Sequence, residues 1–315
     1  MPGRVNAEDG GREGGGTLFV VSTPIGNLAD VTLRGLEVLA AVPLIAAEDT
    51  RITRRLMGRH GVDGRLVSFH ARSGPGRLNE LLAHLRSGAD LAVVTDAGTP
   101  GISDPGEELV AAWAAEGGRV VPIPGASAVL AAVAVRGIAG PQWAFEGFLP
   151  RGGRERRRRL ARIADDERAT VLFEAPTRLE VTLRDLAEVC GGERPAAVCR
   201  ELTKLHEQVA RGTLEELVAA VEAGTIPRRG EIAIVVAGRR PGRHPDATAQ
   251  RSSRRAGLEG DIQPADEYLS ALAEARAAVD ALVGSGLARG EAARRVSERT
   301  GLPRRALYRV DPEPS

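Results

Sequence analysis

The chain has 315 residues, of which 43% are hydrophobic, and its 43 basic and 42 acidic residues leave a formal net charge of +1. This composition is typical of a soluble globular protein that is long enough for two domains, and it argues against a fibre. No apolar run approaches the length of a membrane span, so no membrane partner is expected.

The N-terminal segment, residues 1–16, is rich in glycine and charge, which predicts a disordered extension and not a signal peptide. Short apolar runs rich in β-formers then alternate with helical patterns. This alternation predicts an N-terminal α/β domain with a parallel sheet over residues 17–147. Its predicted strands are Leu18–Val21, Leu44–Ala47, Leu91–Val94 and Val120–Ile123.

A second α/β domain is predicted over residues 148–239. The same alternation restarts there, after the arginine-rich run 154–159. The predicted strands lie at 171–173, 197–199 and 232–236. The fold class is therefore α/β, with two domains in sequence.

Two further segments follow the predicted domains. Residues 240–264 lack periodicity and are rich in Arg, Pro, Ser and Gly, which predicts a basic flexible linker. Residues 265–315 predict a small helical module, in which Gly301-Leu302-Pro303 separates two arginine-bearing helical patterns. This module fits a helix-turn-helix that rests on nucleic acid, and equally a solvated helical hairpin.

The loop from Thr95 to Gly106, TDAGTPGISDPG, is the most informative segment of the chain. It follows an apolar strand, its glycines allow backbone to approach a ligand closely, and Asp96 at the strand end can accept hydrogen bonds. The two usual phosphate-binding motifs, GxGxxG after a strand and GxxxxGK[ST], are missing from the sequence. We therefore expect a polar ligand without phosphate, with a stiff surface turn as the alternative.

Polar clusters follow three other predicted strands, at 48–51, 174–178 and 200–207. In α/β folds, ligands bind outside the carboxyl ends of the strands. These clusters therefore favour one shared cleft, although each could also be a helix cap or an ion-pair network.

Two residue types are informative because they are rare. Lys204 is the single lysine of the sequence, so a compact, titratable ammonium is expected to matter there, with a chance surface lysine as the alternative. The only cysteines, Cys190 and Cys199, lack the spacing of metal ligands, so no metal is expected. They fit a reducing compartment, and the cytoplasm is the expected location.

Nine motifs resemble the RsmI family of small-subunit ribosomal RNA 2′-O-methyltransferases, within the tetrapyrrole methylase superfamily. The resemblance covers residues 17–240 and is weaker over 265–310. The motifs, in chain order, are STPIGN (22–27), AEDTR (47–51), SFH (68–70), TDAGTPGISDPG (95–106), PIPGAS (122–127), FEGFLPR (145–151), FEAPTR (173–178), RELTKLHE (200–207) and RGE (229–231).

The resemblance implies S-adenosylmethionine as methyl donor, bound in a cleft between the two α/β domains of a homodimer. It implies 16S rRNA within the 30S subunit as substrate, where the 2′-hydroxyl of a decoding-region cytidine attacks the sulfonium methyl. This donor carries no phosphate, which agrees with the interpretation of the 95–106 loop. The cofactor-binding residues expected on this basis are Pro24, Asp96, Gly98, Thr99, Pro100, Ile102, Ser103, Pro124, Gly125, Ala126, Ser127 and Ala237.

The catalytic candidates are groups that could remove the hydroxyl proton or stabilise the developing alkoxide. Lys204 is the first candidate, followed by Glu201, Glu174 and Asp104. The expected RNA contacts, which suit phosphates or local carboxylates because guanidinium does not titrate, are Arg51, Arg178, Arg200, Arg304 and Arg305. For Phe69 and Phe148, packing in the core or at a hinge is favoured over stacking on a base.

Two other functions remain compatible with the sequence. A tetrapyrrole precursor C-methyltransferase of the same fold would require arginines inside a deep pocket to bind substrate carboxylates. A non-catalytic RNA- or ribosome-binding factor could have kept the fold, and binding of S-adenosylmethionine would distinguish it.

Overall fold

The computed structural model describes residues 14–138, 140–239, 264–300 and 302–307. The chain divides into two compact units, Met1–Pro245 and Asp246–Ser315. Within the described residues, no helix has the length and apolar character that a membrane crossing requires. Most of the predicted N-terminal extension and all but the last residue of the predicted linker lie outside the described residues.

The first half of the larger unit contains a five-stranded parallel sheet. Its strands are β1 (Leu18–Val21), β2 (Leu44–Ala47), β3 (Leu66–Ser68), β4 (Leu91–Val94) and β5 (Val120–Ile123). They lie in the order β3-β2-β4-β1-β5, and every neighbouring pair is parallel. β2 and β4 are buried along their whole length, which explains their continuous apolar sequences.

Helices cover both faces of this sheet. They are α1 (Leu33–Ala41), α2 (Thr50–Arg59), α3 (Pro75–Arg86) and α4 (Glu107–Ala115), whereas α5 (Ala128–Val135) follows β5 and does not belong to these two layers. Leu85 of α3 and Trp113 of α4 are buried against one face. Leu39 of α1 and Met57 of α2 are buried against the other. The carboxyl ends of the strands are left free to carry loops.

The second half contains a five-stranded mixed sheet. Its strands are β6 (Trp143–Phe148), β7 (Ala169–Glu174), β8 (Pro195–Arg200), β9 (Gln208–Thr213) and β10 (Ile232–Val236), in the order β6-β7-β10-β8-β9. Only β6 and β7 are parallel, and the other neighbouring pairs are antiparallel. The alternation of strands and helices that the sequence shows in this half therefore does not correspond to a parallel sheet. The connection 201–207 is too short for a crossover helix, so β9 returns antiparallel to β8.

Different elements cover the two faces of this mixed sheet. One face packs against α6 (Gly153–Asp165), α7 (Leu179–Cys190) and α8 (Leu214–Glu222). The other packs against α5 of the first half, which buries Val129 and Ala132 beside Val171 and Val235. Helix α5 thus connects the two halves within one compact unit, and the expected α/β architecture with two sheets is confirmed.

The smaller unit is helical. It contains α9 (Pro264–Gly284), α10 (Arg289–Thr300) and the short α11 (Arg304–Leu307). Val279 of α9, Val296 of α10 and Leu307 of α11 are buried together. Leu302 and Pro303 lie between α10 and α11, where the sequence predicted the turn.

Candidate active site

A cavity of about 420 Å³ lies between the loops that follow β4 and β5 and the strands β6, β7 and β10 of the mixed sheet. Its walls are largely apolar and include Ile25, Phe173 and Ile232. Seven of the predicted site residues line it: Gly98, Thr99, Ile102, Ser103, Asp104, Ser127 and Glu174. The loop of residues 95–106 is therefore a cavity wall and not merely a surface turn.

Close backbone contacts with the loop after β1 hold the 95–106 loop in place. Gly98 has a φ of +86° and exchanges two backbone hydrogen bonds with Thr23, at 2.8 and 3.1 Å. The Thr23 hydroxyl also donates to the Thr95 carbonyl at 2.9 Å. Because Gly98 adopts a positive φ that side chains disfavour, glycine suits this turn, and the backbone beside the cavity is fixed.

The PIPGAS motif forms the adjoining wall. A Cβ on Gly125 would stand 2.9 Å from the Cβ of Ser22, so glycine allows these two loops to touch. The Ser22 and Thr99 hydroxyls are hydrogen-bonded at 2.9 Å. The Ser127 hydroxyl accepts the Leu130 amide and caps α5. The motif therefore anchors the start of α5, and Ser127 lies at the cavity surface.

Asp104 is the carboxylate with the most perturbed titration in the cavity. Burial, together with the negative charges of Glu48, Asp96 and Glu231, raises the pKa of Asp104 to about 6. Among the described residues, nothing is hydrogen-bonded or ion-paired to its carboxyl group. A carboxyl group with this pKa accepts a proton readily near neutral pH, which suits a general base.

The carboxylates of Glu48 and Asp96, which follow β2 and β4, accept backbone amides from the neighbouring strand end. Asp96 accepts the Asp49 amide at 3.0 Å, and Glu48 accepts the Asp96 amide at 3.2 Å. Burial, and then the charge of Glu48, raises the pKa of Asp96. Hydrogen bonds from Arg51 lower the pKa of Asp49 to about 2. The first polar cluster of the sequence thus supplies charge beside the cavity.

Lys204 lies in an ion-pair network at the edge of the cavity. Its Nζ is 3.0 Å from Glu201 Oε1 and 3.0 Å from Glu231 Oε2. Partial burial alone would lower the pKa of Lys204, but the two carboxylates outweigh that effect and raise it. Lys204 is therefore an ammonium in the resting structure. Its aliphatic stem passes so close to Gly26 that a Cβ there would stand 2.4 Å from Cγ.

Comparison with known proteins gives consistent relatives. Residues 17–218 match the family model "Tetrapyrrole (Corrin/Porphyrin) Methylases". The chain is 43% identical over 298 residues to ribosomal RNA small subunit methyltransferase I of Synechocystis sp., covering 95% of this chain and 98% of the relative. The protein of the same name from Xylella fastidiosa is 40% identical over 93% of this chain and 98% of its own length. The chain belongs to the RsmI family. It is an S-adenosylmethionine-dependent methyltransferase.

Solved structures share the fold of this RsmI-family chain. Cobalt precorrin-4 methyltransferase matches with a TM-score of 0.54 at 18% identity, over 70% of this chain and 94% of that one. Uroporphyrin-III C-methyltransferase of Thermus thermophilus, complexed with S-adenosylhomocysteine, matches with a TM-score of 0.52 at 20% identity. The match covers 71% of this chain and 97% of that one. At these identities the likeness establishes the fold alone.

The remaining predicted cofactor residues of this RsmI-family chain lie outside the cavity lining. Pro24, Asp96, Pro100 and Ala126 directly adjoin lining residues in the chain, and Pro124 and Gly125 lie three and two residues before Ser127. Ala237 is different, because it follows β10 at the end opposite to Ile232, and its amide donates to the Pro195 carbonyl at 2.8 Å. The geometry therefore does not bring Ala237 to the cavity.

Glu174 is buried and fully engaged. It accepts the Ala175 amide at 2.8 Å and the Thr182 hydroxyl at 2.6 Å, and Arg178 Nε lies 3.3 Å away. Arg178 also donates to the Leu149 carbonyl at 2.9 Å. Because its oxygens already have donors, Glu174 acts as a structural anchor of the cavity wall.

Arg200 is a correction to the expected RNA contacts. It is 6% exposed, and its three nitrogens donate to the Gln208 side chain and to the His206 and Arg229 carbonyls. A guanidinium so enclosed cannot reach a phosphate. Arg51 is exposed and paired with Asp49 at 2.5 Å.

Arg304 of the helical unit is exposed and donates to the Gly290 carbonyl at 3.0 Å. The side chain of Arg305 lies outside the described residues.

Several site features were missed by sequence reasoning. Glu231 lines the cavity but was not among the predicted site residues, although it is the last residue of the RGE motif (229–231). Phe148 also lines the cavity and is 52% exposed, so it is not a core residue, although its ring packs on Phe173, whereas Phe69 is buried as expected. Cys199 forms part of the wall, and burial raises its pKa to about 11. Within the described residues, no cluster of His, Cys, Asp or Glu is arranged to hold a metal ion.

Proposed function

We propose that this RsmI-family chain methylates the ribose 2′-hydroxyl of a cytidine in the decoding region of 16S rRNA, in the 30S subunit. The observation that carries the proposal is Asp104, a carboxyl group in the cavity with a pKa raised to about 6. The names of the relatives supply the substrate class, since each is a ribosomal RNA small subunit methyltransferase.

The cavity fits S-adenosylmethionine. It combines an apolar wall with the hydroxyls of Thr99 and Ser127 and with carboxylates, and its lining holds no arginine or lysine among the described residues. Such a set suits adenine, ribose hydroxyls and a sulfonium cation, and it offers nothing for a phosphate. Gly98, Ile102 and Ser103 would contact the bound donor, which supplies an activated methyl group.

Asp104 is the proposed general base. An ionised carboxylate with a pKa near 6 can take the proton of a ribose hydroxyl as its oxygen attacks. Lys204 is the proposed source of positive charge, because the paired carboxylates keep it protonated. In this arrangement Glu201 and Glu231 position the ammonium, and Glu174 holds the wall.

Methylation of a tetrapyrrole is disfavoured by the charge of the same cavity. A tetrapyrrole precursor carries several carboxylates and would need cationic groups around it. The charged lining residues are Asp104, Glu174 and Glu231, which are all acidic. Like charges repel in a partly desolvated site, so this cavity selects against such a substrate.

We also propose that the chain acts as a homodimer in the cytoplasm, where 30S subunits are found. Large apolar side chains are exposed on the larger unit, including Leu33 at 80%, Leu130 at 57% and Leu205 at 93%. Exposed apolar side chains of this size suit an interface between copies.

Methyl transfer to 30S subunits tests the proposal directly. The donor carries a labelled methyl group, and the RNA is then hydrolysed with alkali. A methylated 2′-hydroxyl cannot attack the adjacent phosphodiester, so a labelled, alkali-resistant dinucleotide containing cytidine is expected. Transfer to a base, transfer to a tetrapyrrole precursor, or binding of the donor without transfer would each contradict the proposal.

A further inference from the structure

A β-bulge in β6 turns Phe148 towards the cavity. The register of β6 against β7 shifts between Phe145 and Gly147. Side chains alternate along a regular strand, so without this bulge Phe145 and Phe148 would point to opposite faces. The extra residue puts both on one face, where each ring contacts Phe173, at centroid distances of 4.9 and 5.7 Å.

The backbone at Phe148 is fixed by hydrogen bonds, while its ring is partly exposed at the cavity. Its carbonyl accepts Arg159 at 3.0 Å, and the next carbonyl, that of Leu149, accepts Arg178 at 2.9 Å. The ring packs on Phe173 but remains 52% exposed at the cavity. A rigid aromatic side chain with an exposed face at the cavity is suited to binding a planar group.

Helix α6 begins just after Phe148 and is arginine-rich. Its inner face is buried, where Arg156 pairs with Asp185 at 2.6 Å and Leu160 packs in the core. Exposed arginines on the outer face and just before the start of the helix form a group that we call the arginine ridge. Among the described residues, none of its members has a hydrogen-bond or ion-pair partner for its side chain. The ridge consists of Arg151, Arg154 and Arg157.

We propose that the base of the target nucleotide stacks on Phe148 and that the arginine ridge binds phosphates of the same RNA strand. This inference rests on the proposed function. A ribose hydroxyl in a stacked helix cannot enter a cavity of this kind, so the nucleotide must leave its stack. An aromatic face compensates for the lost stacking, and unpaired guanidinium groups bind phosphate.

Substitutions of Phe148 test the stacking contact. Phe148→Leu keeps an apolar side chain without an aromatic face, and Phe148→Tyr keeps the face. We expect Phe148→Leu to weaken binding to 30S subunits, with S-adenosylhomocysteine present, by at least about fivefold, as loss of base–aromatic stacking predicts. Phe148→Tyr should bind 30S subunits as tightly as the wild-type chain does. Equal losses in both variants, or a loss of S-adenosylhomocysteine affinity alone, would overturn the stacking contact, and the latter would assign Phe148 to the donor.

Neutralising the ridge tests its binding to phosphates. In Arg154→Gln and Arg157→Gln, affinity for 30S subunits should fall. The slope of log affinity against log salt should become shallower by about 0.7 to 1 for each phosphate that the variant no longer neutralises. Arg65→Gln is the matched control. Arg65 is exposed, and it precedes β3, at the end of the first sheet opposite to the cavity loops. An equal change in the control would reduce the ridge to a general charge effect and overturn the inference.

The wild-type chain separates this inference from the proposed function. If it transfers methyl to the cytidine ribose but the Phe148 and ridge variants bind and react normally, the RNA surface is wrong and the function stands. If it transfers no methyl but those variants bind 30S subunits more weakly, the surface stands and the proposed reaction fails.

Discussion

The Ser103 hydroxyl lies against Gly147, so closely that a Cβ on the glycine would stand 3.1 Å from Oγ. Both residues have positive φ angles, 66° for Ser103 and 62° for Gly147. Ser103 belongs to the loop after β4, and Gly147 to the bulge in β6. This contact joins the two halves of the larger unit beside the cavity, at a position where glycine is needed for both backbone and space.

Gly147→Ala should therefore affect stability and the site together. The positive φ costs about 1–2 kcal/mol for alanine, and the new methyl group must displace the Ser103 hydroxyl. We expect a lower free energy of unfolding in chemical denaturation and a raised KM for S-adenosylmethionine. Gly61→Ala is the control, because Gly61 has a φ of +66° with nothing within 4 Å. An equal effect of both variants on KM would show that the contact with Ser103 is irrelevant.

Asp104→Asn should remove the proposed base. Without a group to accept the hydroxyl proton, kcat should fall by about 100-fold to 10,000-fold, while S-adenosylhomocysteine still binds. In the wild-type chain a base with a pKa of about 6 must be ionised to act, so kcat should decline as the pH falls through about 6. Single-turnover methyl transfer between about pH 5 and about pH 8 measures this decline. A flat profile with an active Asn variant would exclude Asp104 as the base.

The same substitution should stabilise the fold near neutral pH. The pKa of Asp104 rises from 3.8 to about 6 on folding, so the folded state binds the proton more tightly. The resulting stability is complete below the unfolded pKa and is lost as the pH rises through about 6. Allowing for solvent screening, Asp104→Asn should raise the free energy of unfolding at neutral pH by about 1 kcal/mol, with no difference in acid below both pKa values. Thermal denaturation of both chains at the two pH values measures this, and an equal or lower neutral-pH stability of the variant would contradict the burial of the charge.

Glu48→Gln should move the decline of kcat on the acid side of the pH–rate profile to lower pH. Among the negative charges that raise the pKa of Asp104, that of Glu48 has the largest effect. The side-chain amide oxygen of the glutamine can still accept the Asp96 backbone amide. Lys204→Met provides the opposing comparison. It leaves Glu231 without its ammonium partner, so that the negative charge facing Asp104 is less compensated and the decline of kcat should move to higher pH. Shifts of the two variants in the same direction would contradict this electrostatic coupling.

The sequence predicted the buried strands and the edge strand β5, and it missed the edge strands β3, β6 and β9. β2, β4 and β10 are buried throughout, and their apolar runs identify them. β3 has three residues, and β9 is an edge strand without a fully buried residue, so neither has a strong pattern. Strand direction was not readable either, because an apolar run is the same for parallel and antiparallel pairing.

The site was predictable where glycine and proline mark the backbone. The 95–106 loop is recognisable by its composition, and five of the twelve expected cofactor residues line the cavity: Gly98, Thr99, Ile102, Ser103 and Ser127. Glu231 was missed because it reaches the cavity through a pairing of β10 with β7 and β8 that sequence spacing does not encode. Arg200 was misassigned because a strand-end arginine looks the same whether it faces solvent or the carbonyls of its own loop.

Arg200→Met should destabilise the fold and leave RNA binding unaffected. The buried guanidinium donates to the His206 and Arg229 carbonyls and so fixes the 201–207 loop, which carries Lys204. Removing these charged donors should lower the free energy of unfolding by about 2–3 kcal/mol. Arg51→Gln is the comparison, since replacing this exposed side chain should leave the free energy of unfolding unchanged. Urea denaturation and the salt dependence of 30S binding separate the two roles. An Arg200 variant of normal stability with a shallower salt slope would restore Arg200 as a phosphate contact.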